Sequence, residues 1–441
     1  MKKTILLIAL FAIGSVACSY AQTINKPRLD SLLDVLSTSN KSMGTLAISQ
    51  NGKIVYQKSI GNAAIDSPAT IPNTAKTKYR IGSISKMFTG VMVLQLVEEG
   101  KLSLETTLDK YYPKVPNAAK ITVNMMLNHH SGLHNFTNDQ AYTSYMLSPQ
   151  TQEQMLARII SYPPDFEPGV KAQYSNTNFV LLSYMIEKIS NKTYADLVKQ
   201  RVTNKIGLKD TYYGVKTNTA SNEALSYGYD GEWKKSSETD MSIPTGAGAM
   251  VSTPADLNKF IEALFAGKLV KPANLELMKT LKDGFGLAIF QKQFKDRNSY
   301  GHNGGIDAFQ SDLEYFPEQK LAVSYIANGG GYDPSKVLEG VVSIYFNEQY
   351  TIPTFAEIKD IDKYIGVYAS KELPIKITIT KNGGELYAQA TGQSAFPLSA
   401  AKAAYTFEFK TAGIMMEFRP EKKEFTLKQG GKEYVFLQEE K

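Results

Sequence analysis

A serine three residues ahead of a lysine can carry out acyl transfer when the pair sits where a β-like run breaks and an apolar helical pattern begins. The stretch Tyr79-Arg80-Ile81-Gly82-Ser83-Ile84-Ser85-Lys86-Met87-Phe88-Thr89-Gly90 has that arrangement. At a helix N-terminus the first backbone N–H groups lack intrahelical partners and the dipole is positive, so an oxygen gaining negative charge is stabilised there. Lys86, at i+3, shares the helical face of Ser83 and can take its proton if burial depresses the ammonium pKa. Ser83 is then a candidate nucleophile and Lys86 its base. Ser399 and Lys402 repeat the spacing, but in an Ala-rich connection with no apolar helix after them. Context, not spacing, selects Ser83.

Two further stretches carry chemistry. Phe166-Glu167-Pro168-Gly169 leads through a turn into Tyr174-Ser175-Asn176 and then an apolar helix pattern ending near Ile189. A tyrosine hydroxyl next to a lysine can shuttle a proton, and an Asn side chain offers a donor and an acceptor to a substrate amide. Ser299-Tyr300-Gly301-His302-Asn303-Gly304-Gly305 precedes two strand patterns, residues 310–316 and 321–327, around Pro317-Glu318-Gln319-Lys320. His302 is thereby placed on or beside a strand, with glycines that let a ligand approach the backbone. Tyr345-Phe346-Asn347 and His130-Ser131-Gly132 imitate these motifs out of order or outside a strand.

The elements that must position these residues are legible around them. An amphipathic helix with Leu29, Leu32, Leu33 and Leu36 opens the chain after residue 22. Two alternating runs, residues 44–49 and 53–58, flank Asn51-Gly52, a strong hairpin signal. The Ser83 helix carries an apolar stripe and stops at Glu99-Gly100. Residues 102–225 are mainly helical and loop-rich, broken at Pro113, Pro116, Pro163, Pro164 and Pro168, as in an inserted α-domain. Thr253, Pro254 and Asp256 mark another helix start. His129, His130 and His134 are three of the four histidines, but Gly132 interrupts any shared helical face and no carboxylate pattern completes a metal motif. The stretch is expected to be a turn with hydrogen-bonded histidines, and neither a metal nor a cofactor is expected.

Together, Ser83-Ile84-Ser85-Lys86, Tyr174-Ser175-Asn176 and His302-Asn303-Gly304 resemble the serine β-lactamase and penicillin-binding-protein superfamily in its class C-like branch. Ile121 to Leu133 and the segment Gly246 to Leu257 are similar to other parts of that family, and the likeness spans roughly residues 25 to 350. The resemblance implies an α/β (α+β) fold, an antiparallel sheet flanked by helices with an all-α subdomain and the active site between them. It implies catalysis by Ser83, Lys86 and Tyr174, substrate binding by Asn176, His302, Gly304 and Gly305, and an oxyanion hole from the N–H groups of Ser83 and Gly305. Many relatives carry Lys-Thr-Gly where this chain has His302-Asn303-Gly304. The departure points away from a dedicated β-lactamase, towards D-Ala carboxypeptidase or D-aminopeptidase chemistry. A β-lactamase, an esterase or a non-turnover penicillin-binding sensor is the alternative. If His302 binds a substrate carboxylate, activity is expected to vary with pH near 6.5.

Residues 353–441 turn to short strands with Gly-rich turns, expected to form a small β-meander or barrel similar to the lipocalin-like C-terminal domains of some relatives. Residues 1–21 read as a signal peptide, with Lys2 and Lys3, an apolar run and small residues at Ser19 and Ala21. Cleavage before Gln22 is expected, leaving a hydrolase domain over residues 22–352 in an exported, periplasmic or secreted protein. The one cysteine, Cys18, offers a lipid anchor as the alternative, against Ser15 where that signal wants Leu. Without the leader, 47 basic and 43 acidic residues leave a dispersed net +4, no footprint for nucleic acid. The expected partners are small molecules or short peptides, the peptidoglycan stem peptide among them.

Overall fold

The computed structural model describes residues 24–65, 70–355, 360–382, 385–401, 403–409 and 412–439. The expected leader and Cys18 lie outside them. Helix α1 (Lys26–Thr38) starts on Asn25, whose side chain accepts from Arg28 N–H, and buries the four leucines read from its spacing. Each contributes about 1.5–3 kcal/mol on burial. Strands β1 (Met43–Gln50) and β2 (Lys53–Ile60) pair antiparallel across Asn51-Gly52. Both turn residues take positive φ, 52° and 78°, as a two-residue hairpin with right-handed strand twist requires.

The rest of the central sheet comes from far along the chain: β3 (Phe290–Phe294), β4 (Arg297–Ile306), β5 (Phe309–Phe316) and β6 (Leu321–Gly329). Their order is β3-β4-β5-β6-β1-β2, and every neighbour along that path is antiparallel. Both faces are covered, so β1, β5 and β6 are buried on both sides almost throughout. Leu46, Ile48, Phe316, Val323 and Tyr325 pack with α1 and with α5 (Pro334–Tyr345). Leu313, Tyr315 and Ile326 join the larger core with α2 (Ser85–Glu98), α3 (Asn176–Ser190) and α4 (Pro254–Phe265). Helix α2 was expected to bury a stripe, but Ser85 to Leu96 is buried on every face. It runs through the core between the sheet side and the helical region, with Phe88 stacked on Phe260 of α4 at 4.0 Å.

Eight strands close the C-terminal barrel in sequence order: Gly366–Ala369, Lys376–Asn382, Glu385–Ala390, Phe396–Ala400, Thr406–Phe409, Ile414–Arg419, Glu424–Gln429 and Lys432–Gln438. The fourth is one that composition hid, because Pro397 and the alanines after it read as a connection. It also holds the imitation serine, Ser399, as a strand residue. Phe407, Phe418, Phe425 and Phe436 fill the barrel interior with aliphatic neighbours. A 3.0 Å ion pair from Lys41 to Glu385 ties the barrel to the segment before β1. Among the described residues no helix is long and apolar enough to cross a membrane.

One charged cluster has its carboxylates buried in the sheet. Lys292 of β3 pairs with both Asp312 and Glu314 of β5, and Ser299 donates to Glu314 at 2.7 Å. Burial, with the neighbouring charge of Glu314, raises the Asp312 carboxyl to about 7 despite Lys292. A carboxyl raised on folding favours the native state when protonated; that contribution is complete below its unfolded pKa and is lost as pH rises through about 7. Asp312→Asn leaves a one-to-one pair of Lys292 and Glu314. Its urea midpoint is expected to fall less than that of the parent between about pH 5 and pH 9, and to lie above it at the alkaline end. Parallel midpoint curves for the two proteins would contradict this.

Candidate active site

Ser83 lies in a single 3-10 turn, Gly82–Ile84, that runs directly into α2. The short strand before it, Tyr79–Arg80, pairs with Met250–Ser252, and Ile81 N–H donates to Met250 O at 3.0 Å. Lys86 follows one turn later and is completely buried. Its Nζ donates to Ser83 Oγ at 3.0 Å, to Asn176 Oδ1 at 2.8 Å and to the Ala247 carbonyl at 2.7 Å. Burial pushes the ammonium well below its usual range, towards the free amine. The carbonyl that holds it belongs to a turn fixed from several sides. Thr89 donates to Gly246 O at 2.7 Å, and Ser85 Oγ accepts Met250 N–H at 3.0 Å.

Tyr174 approaches from the other side and donates its hydroxyl to Ser83 Oγ at 2.7 Å. Burial raises this phenol, opposed by its bond to Ser83, so it stays protonated at neutral pH. The same loss of water therefore drives Lys86 and Tyr174 in opposite directions. Lys86 also sits 4.9 Å from the centre of the Tyr174 ring. Asn176 opens α3, with Ser175 at the cap position. Its side chain is already engaged: the oxygen accepts from Lys86 and the amide donates to Thr137 Oγ1 at 3.1 Å.

The third wall is β4. A Cβ on Gly304 would meet Ile81 O at 2.1 Å and Ser83 N at 2.9 Å, and one on Gly82 would meet Gly305 at 2.8 Å. Glycine is what lets the strand lie against the serine backbone, and Gly82 also takes φ +49°. His302 lies two residues earlier on β4, 2% exposed, with its ring 4.5 Å from Phe290 and 6.5 Å from Tyr174. Its Nδ1 donates to the Asn303 carbonyl, which leaves Nε2 as an acceptor. Burial, reinforced by the nearby Lys86, pushes His302 down to about 3. The expectation of a titration near 6.5 is thus corrected: the ring is neutral across the physiological range.

All seven residues singled out from the sequence meet here, while the imitation motifs do not. Tyr345 belongs to the α5 core and His130 bonds Asn128 O and Asp283. His134 bonds Asp165 and Asp139, so the histidine turn is hydrogen-bonded as expected. Two participants escaped the sequence. Arg80, 3% exposed, binds Asp307 and Glu238 at 2.9 Å each and the carbonyls of Thr239 and Val215, tying the end of β4 to a distant loop. Thr137 holds Asn176. An arginine in an apolar run was the only available signal for the first, and nothing marked the second.

The Beta-lactamase family model matches residues 30–341. Penicillin-binding protein 4* of Bacillus subtilis is 25% identical over 434 residues, covering 89% of this chain and 93% of its own length. The teichoic acid D-alanine hydrolase of Staphylococcus aureus is 25% identical over 319 residues, 72% of this chain and 70% of that protein. Among solved structures, D-amino acid amidase from Ochrobactrum anthropi SV3 in complex with L-phenylalanine aligns with a TM-score of 0.65 at 26% identity, covering 73% of this chain and 98% of the amidase.

The contacts of Gly304 make a direct test. Gly304→Ala is expected to force β4 away from Ser83, to slow covalent labelling by a fluorophosphonate about 100-fold and to lower the melting temperature by a few degrees without unfolding the protein. Gly228→Ala, where a Cβ meets nothing and the backbone is not left-handed, serves as the control. Equal labelling of the two variants would remove the close approach from the account.

Proposed function

The chain belongs to the Beta-lactamase family and is a serine hydrolase of penicillin-binding-protein and D-amino-acid-amidase type, and from that premise we propose that it hydrolyses amides or esters of D-amino acids through an acyl-enzyme on Ser83. The observation that carries this reading is the convergence of Lys86 and Tyr174 on Ser83 Oγ, at 3.0 and 2.7 Å. As the free amine Lys86 keeps its two hydrogens for Asn176 Oδ1 and the Ala247 carbonyl and turns its lone pair to Ser83, taking the Ser83 proton as Oγ attacks the carbonyl carbon. The N–H groups of Ser83 and Gly305 receive the carbonyl oxygen as it gains charge. Tyr174, kept protonated by burial, gives its proton to the departing amine or alkoxide and recovers one from the Lys86 ammonium. Water then attacks the ester and the transfers run in reverse, releasing the acid and restoring Ser83.

The neutral His302 supports a choice among substrates. A carboxy-terminal acid gains most from a cation, and the ring at this position carries none; its unprotonated Nε2 suits an N–H donor instead. That favours amide, ester or aminopeptidase chemistry over carboxypeptidase chemistry, in keeping with relatives whose names give a D-alanine hydrolase and a D-amino acid amidase. Asn176 holds Lys86 and presents its remaining lone pair to the substrate. We further propose that residues 1–21 are an export signal, so that the hydrolase works outside the cytoplasm. The mature chain then divides into a hydrolase domain, 22–352, and a barrel domain, 353–441.

Ser83→Ala is expected to abolish fluorophosphonate labelling, while Ser399→Ala keeps it; a retained adduct on the Ser83→Ala protein by intact mass would sink the nucleophile. Tyr174→Phe should lower kcat for D-alanine p-nitroanilide by about 100-fold or more and leave KM within about threefold. Faster hydrolysis of the L-anilide than of the D-anilide would overturn the substrate class.

His302→Asn tests the neutral ring. Its activity should change in size but keep the same profile from about pH 5 to pH 9, since the parent histidine does not titrate there. Loss of an inflection near 6.5 in the variant would show that His302 does ionise in use.

A further inference from the structure

We infer that His129 is a positioning residue for Tyr174, an inference that rests on the role proposed for Tyr174 above. Tyr174 lies in a non-helical run between the Pro168-Gly169 turn and the start of α3. Such a run has no ladder of its own to fix where a hydroxyl points. His129, 2% exposed, supplies the missing restraint at three places. Its carbonyl oxygen accepts Gln173 N–H at 2.9 Å, its Nδ1 accepts Ser175 N–H at 3.1 Å, and its ring stacks on the phenol with centroids 4.5 Å and planes 29° apart. One residue thus grips the backbone on both flanks of Tyr174 and the face of its ring.

The backbone at His129 is left-handed, φ 61°, a region that residues other than glycine enter uncommonly and histidine more readily than most. That conformation accompanies the use of carbonyl and ring on the same short segment. The ring itself is wedged between Tyr174, Phe179 and Phe285, at 4.5, 5.4 and 5.2 Å. Because Nδ1 accepts from Ser175 and lies 3.3 Å from Asn178 Nδ2, the single ring proton belongs on Nε2. Burial, followed by the charge of Lys86, holds the imidazole neutral. A second cation there would remove the acceptor and face Lys86.

A core histidine that merely fills space would affect stability alone, so the test reads the reaction through Tyr174. His129→Asn tolerates the left-handed backbone and keeps an acceptor but loses the stack; His129→Phe keeps the stack and loses the acceptor. Each is combined with Tyr174→Phe in a double-mutant cycle, reading kinact and KI for a fluorophosphonate, with circular dichroism to verify folding. Each single His129 variant is expected to lower kinact about 10- to 100-fold with KI nearly constant, and to have almost no further effect once Tyr174 is Phe. The same factor in both backgrounds would overturn the inference while leaving Tyr174 in place. If Tyr174→Phe alone does not change kinact, the role of Tyr174 itself has failed, a separate outcome. If the Asn variant does not fold, the Phe variant and His129→Gln run through the same cycle decide the matter.

Discussion

The structure turns on one nitrogen taken out of water. Lys86 Nζ is completely buried and donates to a serine hydroxyl, an asparagine oxygen and a main-chain carbonyl. An amine in that position is tolerable only if every proton it carries finds an acceptor, because an unpaired donor there costs about 1–3 kcal/mol and a bare charge more. The three acceptors come from the turn before α2, the start of α3 and the turn at Ala247. Those segments lie far apart along the chain. Satisfying Lys86 therefore fixes α2, the start of α3 and the Ala247 turn relative to one another, while the apolar residues of α2 bury the rest of that helix in the larger core.

Close backbone approach is the second constraint, and it is steric. Ile81–Ser83 and Gly304–Gly305 meet without side chains between them, and Ser311 Oγ fastens the contact by donating to Ile81 O at 2.9 Å. Hydrogen bonding locates Lys86, whereas the absence of Cβ atoms locates β4. Arg80 then ties Asp307, just past the end of β4, to the loop carrying Glu238 and Thr239. The serine is held from three directions while its own turn is only three residues long.

Local signals were legible in the sequence where local physics decides. The Asn51-Gly52 hairpin, the leucine face of α1 and the Thr253 cap, whose side chain accepts from Asp256 N–H, each depend on a few adjacent residues. The three motifs were legible because their order and context excluded Ser399, Tyr345 and His130. What stayed hidden depends on distant parts of the chain. The strand Phe396–Ala400 is made by closure of the barrel, against the propensity of Pro397. The contacts of Thr137, Arg80 and His129 require a fold before they exist. The ionisation of His302 was misjudged for the same reason, since a pKa of about 6.5 belongs to an imidazole in water and this one is 2% exposed.

The neutral ring of His302 bears on how Lys86 would act as the proposed base. Lys86 is pushed towards its free amine by burial alone, and His302 is held neutral first by burial and then by the proximity of Lys86. A lysine in place of His302 would put a second amine beside the first, and its charge, when protonated, would depress Lys86 further by repulsion. With histidine there, the groove has no fixed cation at that point, so the base is tuned by desolvation without help from a neighbour. Such a base is sensitive to anything that lets water or an anion into the groove. A substrate carboxylate seated near Lys86 would stabilise the ammonium and raise its pKa, weakening it as the proposed base for the serine proton. In the proposed mechanism an uncharged amide or ester leaves the amine free, so that the proposed chemistry at Ser83 and the proposed preference for uncharged substrates would both follow from the same loss of water.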